Sequence, residues 1–574
     1  FALTESSAGS HPLGIASKAM PTADDWQLSG EKIWSGSAAW AGVTNVFVQQ
    51  VDASGVPVGI SGFAVKKGSA GLKQGPEALT MGMRGMVQNT VLLEDVLVSD
   101  AERLGEPGKG MTVAQDAMMY GRLAIAAACV GGMKRCAQLM LRYGQRRTIS
   151  TGRLLDNPIT MTRLNWLVNA ITATESLVTL TATRLDVEQS VPEELYAACK
   201  IAAPEFYWQA ADNLVQCLGG RGYIETNIAP QILRDARVLR IFEGPTESLS
   251  MYLGSRVVNQ PQALKDFLDR LAFSEISHSL FGAANLIVER YTAEKRSNSS
   301  RKAGLRQAHY VIGKVATWTI LMAALRATSA SADAISWCQA TFEKAVQEAL
   351  EPQPDESANL SSLVENIEGY QQGIGNIEQT LAGSGVGLDE LLKSKSRPTV
   401  SPSVEEPHTR ANSESSALEK YQRSGTVLSA NLPQQEKSIE TWLIQWLSKR
   451  LELPSEHIDP NKAFADYGLD SVTGVELAQE LGDFLTVSEP LEATLAWSFP
   501  TMRSLSRHLA SMLAQPDLSQ QEIDLANELI DDGLERRNDI EGQNNIEEQS
   551  AFSDLSEDEA ASALLAELAT VRGR

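Results

Sequence analysis

Up to about residue 108 the chain reads as strands. Val46-Phe47-Val48 and Ile60 to Val65 flank the turn-rich stretch Asp52-Ala53-Ser54-Gly55-Val56-Pro57, and Val87 to Val98 reads as a further strand pair. From Met111 the apolar period becomes helical. Leu164, Leu167, Val168, Ile171 and Val178 share one face of a helix that Pro158 can open. Similar patterns over 111–144, 192–218 and 244–258 predict a four-helix bundle. Val315, Trp318, Thr319, Met322 and Leu325 mark the apolar face of a helical extension that follows. Ser, Pro, Glu and Asn then dominate, periodicity is lost, and a compact helical unit comes after them. The expected organisation is multidomain: a small β domain (1–108), an α-helical bundle (109–258), a helical extension (259–395), a flexible linker (396–434), a separate four-helix unit (435–512) and an acidic tail (513–574).

Charge narrows the classes of partner. The chain has 574 residues, with 50 Lys+Arg against 72 Asp+Glu and a net charge of -22. Residues 513–574 hold 16 acidic and 4 basic residues, so much of the excess lies in the tail. No basic block offsets it, which argues against nucleic acid and anionic membrane as partners. Five cysteines form no CxxC and six histidines no HExxH. That pattern fits a reducing cytoplasm and gives no reason to expect a disulfide framework or a metal site. No uninterrupted apolar run reaches ~18 residues, so no membrane span is expected. The sequence opens on Phe1, already inside a motif, and reads as a cut end without a signal peptide.

Gly468-Leu469-Asp470-Ser471-Val472 follows a loop and opens a helix over 472–484. An isolated Asp-Ser pair there is most simply an N-cap. Its surroundings point elsewhere: an opening helix from Ile439 to Leu451, the loop Phe464-Ala465-Asp466-Tyr467-Gly468, and the closing Phe499-Pro500-Thr501-Met502-Arg503-Ser504-Leu505. From about 436 to 512 the chain resembles acyl carrier proteins of the polyketide and nonribosomal peptide synthetase type. The resemblance implies that Ser471 carries covalent 4'-phosphopantetheine, attached by a phosphopantetheinyl transferase. Glu476, Glu480 and Asp483 form an acidic face, either a docking surface for a basic partner or a solvated face.

Four scattered stretches belong together. Phe1-Ala2-Leu3-Thr4-Glu5 with Gly9-Ser10 is rich in small hydroxyl residues. Lys32-Ile33-Trp34-Ser35-Gly36 places a Trp between a strand and a small-residue turn, where it either packs in the core or shields a flat cofactor. Gln216-Cys217-Leu218-Gly219-Gly220-Arg221-Gly222-Tyr223 ends a helix rather than following a strand, which disfavours a dinucleotide fold. Arg240-Ile241-Phe242-Glu243-Gly244-Pro245-Thr246-Glu247 sets a carboxylate between apolar residues before a Gly-Pro turn, and such a setting raises a carboxyl pKa towards the range of a general base. In this order the stretches resemble the acyl-CoA dehydrogenase family over residues 1–258, covering its middle β domain and C-terminal bundle, with its N-terminal helical domain missing.

The resemblance implies FAD and a set of roles. Phe1, Leu3, Thr4 and Ser10 match the first flavin-contacting stretch and Trp34 the second. Gly36 replaces a customary hydroxyl, so Ser35 or Ser37 substitutes. Arg146 and Thr148 match a pair that reaches FAD from a neighbouring subunit, although Ile149-Ser150-Thr151-Gly152 replaces the usual residues after them. Gln216 and Gly220 match the second cross-subunit contact. Glu243 matches the catalytic base and Gly244 the residue after it, with Pro245 and Glu247 departing from the common pattern. Arg122 matches an arginine near the base. In the implied chemistry Glu243 removes the α-proton of an acyl thioester and the β-hydrogen leaves as hydride to the flavin.

Fusion to a carrier points to an FAD-dependent α,β-dehydrogenation of an acyl thioester on the chain's own phosphopantetheine arm, in polyketide or lipopeptide assembly. The alternatives are oxidation of free acyl-CoA and a non-catalytic carrier and docking scaffold. Implied partners are a second and further copies of the chain (dimer or tetramer), an upstream acyl-loading enzyme, a downstream synthase module, and an electron-transfer flavoprotein or oxygen. Leu555, Ala561, Leu564, Leu565 and Leu568 share a helical face near the end, read either as a docking helix or as a solvated tail.

Overall fold

The computed structural model describes residues 1–513 apart from 24, 293–297, 352–359, 378–391, 393–431, 452, 470, 488–490 and 493–494. The acidic tail beyond residue 513, with the amphipathic helix expected over 555–568, and all but the end of the 396–434 linker, lie outside the described residues.

The alternating segment forms a seven-stranded sheet. Its strands are β1 (Lys18–Pro21), β2 (Asp25–Gly36), β3 (Val43–Val51), β4 (Pro57–Lys66), β5 (Leu72–Ala78), β6 (Gln88–Ser99) and β7 (Arg103–Leu104), in the order β5-β6-β2-β1-β3-β4-β7. Only the β1–β3 pairing is parallel among these strands. Inward positions of each strand, such as Leu28, Val46, Val48, Phe63, Val91 and Val96, make one core. Val87 to Val98, read as a strand pair, is a single strand in the structure. It pairs with β2 on one side and β5 on the other, and its buried positions run 89, 91 and 93, then slip by one at Glu94-Asp95 to 96 and 98, where the register with β2 shifts.

One ion pair pins the N-terminal segment to this sheet. Lys32 Nζ lies 2.6 Å from Glu5 Oε1, with both side chains buried, and donates also to the Leu3 carbonyl. Glu5 further accepts from the Ala16 and Ser17 amides and the Ser17 hydroxyl. Burial pushes the Glu5 carboxyl up, but the hydrogen bonds from Lys32 and Ser17 outweigh it and hold it below the usual range. Burial pulls Lys32 down to about 8 despite its partner. The pair is therefore a register device more than a source of net stability.

The helical segment forms α1 (Gly110–Arg146), α2 (Pro158–Asp186), α3 (Glu193–Leu218), α4 (Gly220–Tyr223), α5 (Ile228–Val238) and α6 (Thr246–Asn259). Every residue of α3 from Glu194 to Pro204 is buried, which makes α3 the central helix of the bundle. The predicted extension forms α7 (Gln262–Arg270), α8 (Ser274–Thr292), α9 (Asn298–Ala327) and α10 (Ala332–Leu350), then α11 (Leu360–Gly369) and α12 (Gln371–Ile374). Helix α9 is long and apolar enough over 301–327 to cross a bilayer, yet 78% of that window is buried inside the protein. It packs on α2, α3, α6, α8 and α10 as a core helix. Its crossing with α6 is close because glycines face backbone there: a Cβ on Gly254 would lie 1.8 Å from the His309 carbonyl oxygen, and one on Gly313 equally close to that of Ser250.

The last described region comprises α13 (Leu432–Leu451), a 3-10 turn at Phe464–Tyr467, α14 (Ser471–Leu485), α15 (Leu495–Ser498) and α16 (Met502–Leu513). It buries Ile439, Leu443, Leu447, Phe464, Leu477, Leu481 and Leu505. Residues 1–507 form one compact unit, and of 508–574 only the end of α16 is described.

Removing one partner of a buried pair strands the other charge. Lys32→Met should therefore lower stability by about 3–5 kcal/mol, read as a shift in the urea midpoint, and double replacement of Lys32 and Glu5 by apolar residues should recover part of that loss.

Candidate active site

The Glu243 turn is assembled from three helices. Helix α5 ends at Val238, the chain reverses over 239–245, and α6 starts at Thr246 behind Pro245. Glu243 has φ +56° and Gly244 φ +96°, both in the left-handed region, which is strained for a glutamate. Two buried cations hold the turn by its carbonyls. Arg122 Nε from α1 donates to the Glu243 carbonyl at 3.3 Å, and Lys200 Nζ from α3 to that of Gly244 at 3.1 Å. Arg240 and Thr246 close the turn from outside by donating to Glu205 at 2.6 and 2.8 Å.

With the backbone so fixed, the Glu243 carboxylate is left over. Its Oε2 is buried and has no hydrogen-bond partner. Gly121 of α1 faces it: a Cβ there would meet the carboxylate at ordinary van der Waals distance, 3.8–3.9 Å. Burial raises the Glu243 pKa above the ordinary carboxylate value, and Arg122 and Lys200 oppose that rise. Burial brings Lys200 itself down to about 8, with Arg122 adding to the effect. An unpartnered buried carboxylate oxygen is available to take a proton from a substrate.

Lys200 was not among the residues singled out from the sequence. It stands alone in the apolar run Tyr196-Ala197-Ala198-Cys199-Lys200-Ile201-Ala202-Ala203, and a lysine is almost never fully buried without a partner. That isolation was the available signal.

A second cluster lies on the sheet. The Ile33 amide donates to the Thr4 carbonyl at 2.9 Å, which brings Leu3 and Thr4 beside Trp34. Strand β2 loses register between Lys32 and Ser35, and Trp34 sits in this bulge at φ +53° with 64% of its surface exposed. A bulge re-aims a side chain, and here it presents Trp34 outward instead of burying it in the core. The Ser35 hydroxyl is buried without a partner. Phe1 packs against Phe47 with ring centroids 4.9 Å apart, and Ser10 is exposed.

A third cluster occupies the far end of the bundle. Arg146 ends α1, and Thr148 starts a two-stranded hairpin, β8 (Thr148–Ile149) and β9 (Gly152–Arg153), whose turn uses Gly152 at φ +117°. Gln216 lies in the last turn of α3, followed by Gly219 at φ +60° and Gly220. The Tyr143 hydroxyl donates to the Leu218 carbonyl at 3.4 Å and joins these ends. All four residues Arg146, Thr148, Gln216 and Gly220 are exposed. Arg122 and Arg146 are 24 positions apart on one helix, or about 36 Å at 1.5 Å per residue. This cluster and the Glu243 turn are therefore at opposite ends of the same subunit.

Residues of the sheet and bundle edges suit a flavin: an outward Trp in a bulge, an orphaned buried hydroxyl at Ser35, and the orphaned Glu243 oxygen. Ser471 begins α14 directly after the Gly468 turn at φ +77°, and a helix start favours a phosphate ester. The acidic face of α14 is partly consumed within its own domain: Glu476 pairs with Arg450, and Glu480 accepts from Trp446 Nε1 at 3.0 Å. Among the described residues no cluster of His, Cys, Asp or Glu could hold a metal, and all five cysteines are free.

Three family models match the chain: the acyl-CoA dehydrogenase middle domain over residues 1–96, the acyl-CoA dehydrogenase C-terminal domain over 108–258, and the phosphopantetheine attachment site over 441–509. The mitochondrial very long-chain specific acyl-CoA dehydrogenase of Macaca fascicularis is 29% identical over 316 residues, which are 53% of this chain and 46% of that protein. The mitochondrial short-chain specific acyl-CoA dehydrogenase of Homo sapiens is 29% identical over 247 residues, 43% of this chain and 60% of that protein. Butyryl-CoA dehydrogenase from Megasphaera elsdenii is 26% identical with a TM-score of 0.43, covering 45% of this chain and 67% of that one. The chain spans about half the length of the very long-chain relatives it matches. Residues 1–96 and 108–258 thus carry the acyl-CoA dehydrogenase middle and C-terminal domains, and the chain continues into a phosphopantetheine attachment domain over 441–509.

Proposed function

We infer that this chain oxidises an acyl thioester carried on its own Ser471, at the α,β carbon–carbon bond. The observation that supports this reading best is the Glu243 carboxylate, buried and unpartnered on a strained turn, in a chain that also contains a carrier domain. Glu243 acts as the base and takes the α-proton. The α-proton of a saturated thioester is weakly acidic, so its removal needs donors at the carbonyl. The Glu243 backbone amide is one such donor, and Arg122 and Gly244 fix its direction. Leu3, Thr4, Trp34 and Ser35, with Phe1 and Ser10 at the edge, would hold FAD, which when bound would supply the acceptor for the β-hydride. Burial keeps the carboxylate basic by raising its pKa, and the charges of Arg122 and Lys200 oppose that rise.

Arg146, Thr148, Gln216 and Gly220 complete the flavin site of another subunit, because their end of the bundle is remote from their own Glu243. Active protein is accordingly a dimer or larger. Phosphopantetheine on Ser471 holds the acyl group as a thioester, and a phosphopantetheinyl transferase installs it. An upstream loading enzyme and a downstream synthase module of polyketide or lipopeptide type supply and take the acyl chain, in the cytoplasm. An electron-transfer flavoprotein is the proposed electron acceptor. In support, a relative 28% identical over 260 residues, 45% of this chain and 68% of its own, is a subunit of the caffeyl-CoA reductase–Etf complex of Acetobacterium woodii.

Intact-mass measurement on protein loaded at Ser471 with a saturated acyl group should show loss of two hydrogens from the arm. Glu243→Gln should retain flavin and slow its reduction about 10²–10⁴-fold; near-normal reduction in this variant would remove Glu243 from the role of base.

The pH profile tests the neighbouring cation. A base works ionised, so the rate rises with pH through its pKa. Lys200→Met removes a positive charge near Glu243, raises that pKa further, and should move the rising limb to higher pH, with Lys200→Arg restoring it. An unmoved limb would place Lys200 outside the site.

Light scattering should find bound FAD only in dimers or larger assemblies, and Arg146→Ala should weaken flavin retention. A flavin-loaded monomer contradicts the cross-subunit reading.

A further inference from the structure

Helix α14, which begins at Ser471, packs on α6, which begins three residues after Glu243. The contact is apolar at its centre. Val475 is fully buried and forms one cluster with Tyr252 of α6. It is polar at its edges. Gln260 Nε2 donates to the Leu491 carbonyl at 3.3 Å, and the Lys302 ammonium to the Arg450 carbonyl. A third contact is steric: a Cβ on Gly59 of β4 would lie 3.0 Å from the Ser498 carbonyl oxygen, beside the Gly108 backbone at 2.6–2.7 Å, so α15 packs closely on this edge of the sheet.

Charge at the seam has a chemical direction. Between α9 and the carrier lies a cavity of about 120 Å³ lined by Lys302, Arg306, Arg450, Gly468, Leu469 and Thr473, among others. Its acidic member, Glu476, is already paired with Arg450. Gly468 and Leu469 lead directly to Ser471, so the positive lining is next to the residue that carries a phosphodiester.

The positions fit a delivery route. Ser471 is one helical turn, about 6 Å, before the Val475 contact. Thr246 is about 9 Å along α6 from Tyr252 on the other side, next to the Glu243 turn.

We propose that the carrier domain docks in cis on α6 and the start of α9, through Val475 against Tyr252 with Lys302, Arg306 and Arg450 around the arm's phosphodiester, and that this seat delivers the acyl thioester to the Glu243 turn. The delivery role rests on the dehydrogenation proposed above, whereas the docked seat does not. Val475 is then a surface residue of the carrier that is buried only when seated, and the small interface suits a carrier that must also leave for other partners.

The test uses the whole holo-protein. In Tyr252→Cys/Val475→Cys, mild oxidation at low micromolar concentration should join the two cysteines within one chain, as shown by peptide mass mapping and an unchanged chain mass on a non-reducing gel. Absence of that link, or links only between chains, overturns docking in cis. In Val475→Lys, phosphopantetheine loading of Ser471 should be normal. Flavin reduction by the acyl group on Ser471 should fall about tenfold or more, because the tethered arm loses its seat. Flavin reduction by the same acyl group on free pantetheine should be unchanged. An unchanged tethered rate overturns delivery from this seat. If the wild-type protein oxidises neither substrate, the dehydrogenase reading fails, while the cysteine link still decides the docking.

Discussion

The strained turn at Glu243 is the constraint around which the dehydrogenase part is arranged. A glutamate held at positive φ costs on the order of 1–3 kcal/mol, and the surroundings must over-determine it. Here the restraint comes from two cations buried in the bundle, each spent on a carbonyl of the turn instead of on the carboxylate. Had Arg122 or Lys200 paired directly with the carboxylate, its pKa would fall further and it would be a weaker base. Aiming the cations at the backbone keeps their field close enough to temper the Glu243 pKa, yet leaves Oε2 without a partner.

Much of this was legible in the sequence. Helical periodicity located α1, α2, α3 and α6 to within a few residues, because their apolar faces all meet one core. The Gly-Pro turn after Glu243 and the Gly468 turn before Ser471 were visible as backbone chemistry. The rest depended on tertiary context. Lys200 sits on a helix whose every neighbour is apolar, and nothing local shows that its ammonium meets Gly244. The bulge at Trp34 arises from cross-strand register, which a single strand does not encode. Glu476 and Glu480 looked like a docking surface because α14 presents them together, but partners from α13 already engage them.

The bundle separates two kinds of function along its length. One end carries a buried carboxylate with paired cations; the other carries exposed Arg146, Thr148, Gln216 and Gly220 at helix termini. Exposed polar groups at the end of a long helix have no work to do inside their own subunit, and a span of about 36 Å exceeds what one cofactor in one site can bridge to the Glu243 turn while lying against Trp34. Assembly resolves this, since a symmetric partner returns each far end to a near one. On the proposed reading, oligomerisation is a condition for a complete flavin site and not an addition to it.

The carrier seat follows a different logic, that of weak binding made sufficient by a tether. A tether gives an effective concentration on the order of millimolar when its reach matches the span. A contact with a dissociation constant of about 1 mM, worth about 4 kcal/mol, is then occupied about half the time. One buried Val475–Tyr252 pair with two edge hydrogen bonds is of that scale. An extensive ion-paired interface would hold the carrier longer than one oxidation requires and would compete with the enzymes that load and unload the arm. The pairing of Glu476 with Arg450 and the hydrogen bond of Glu480 to Trp446 engage these carboxylates within the carrier domain and leave the seat small. Specificity for this seat then comes from connection and shape, and the chain's large negative charge, concentrated in 513–574, is left free to act on other partners.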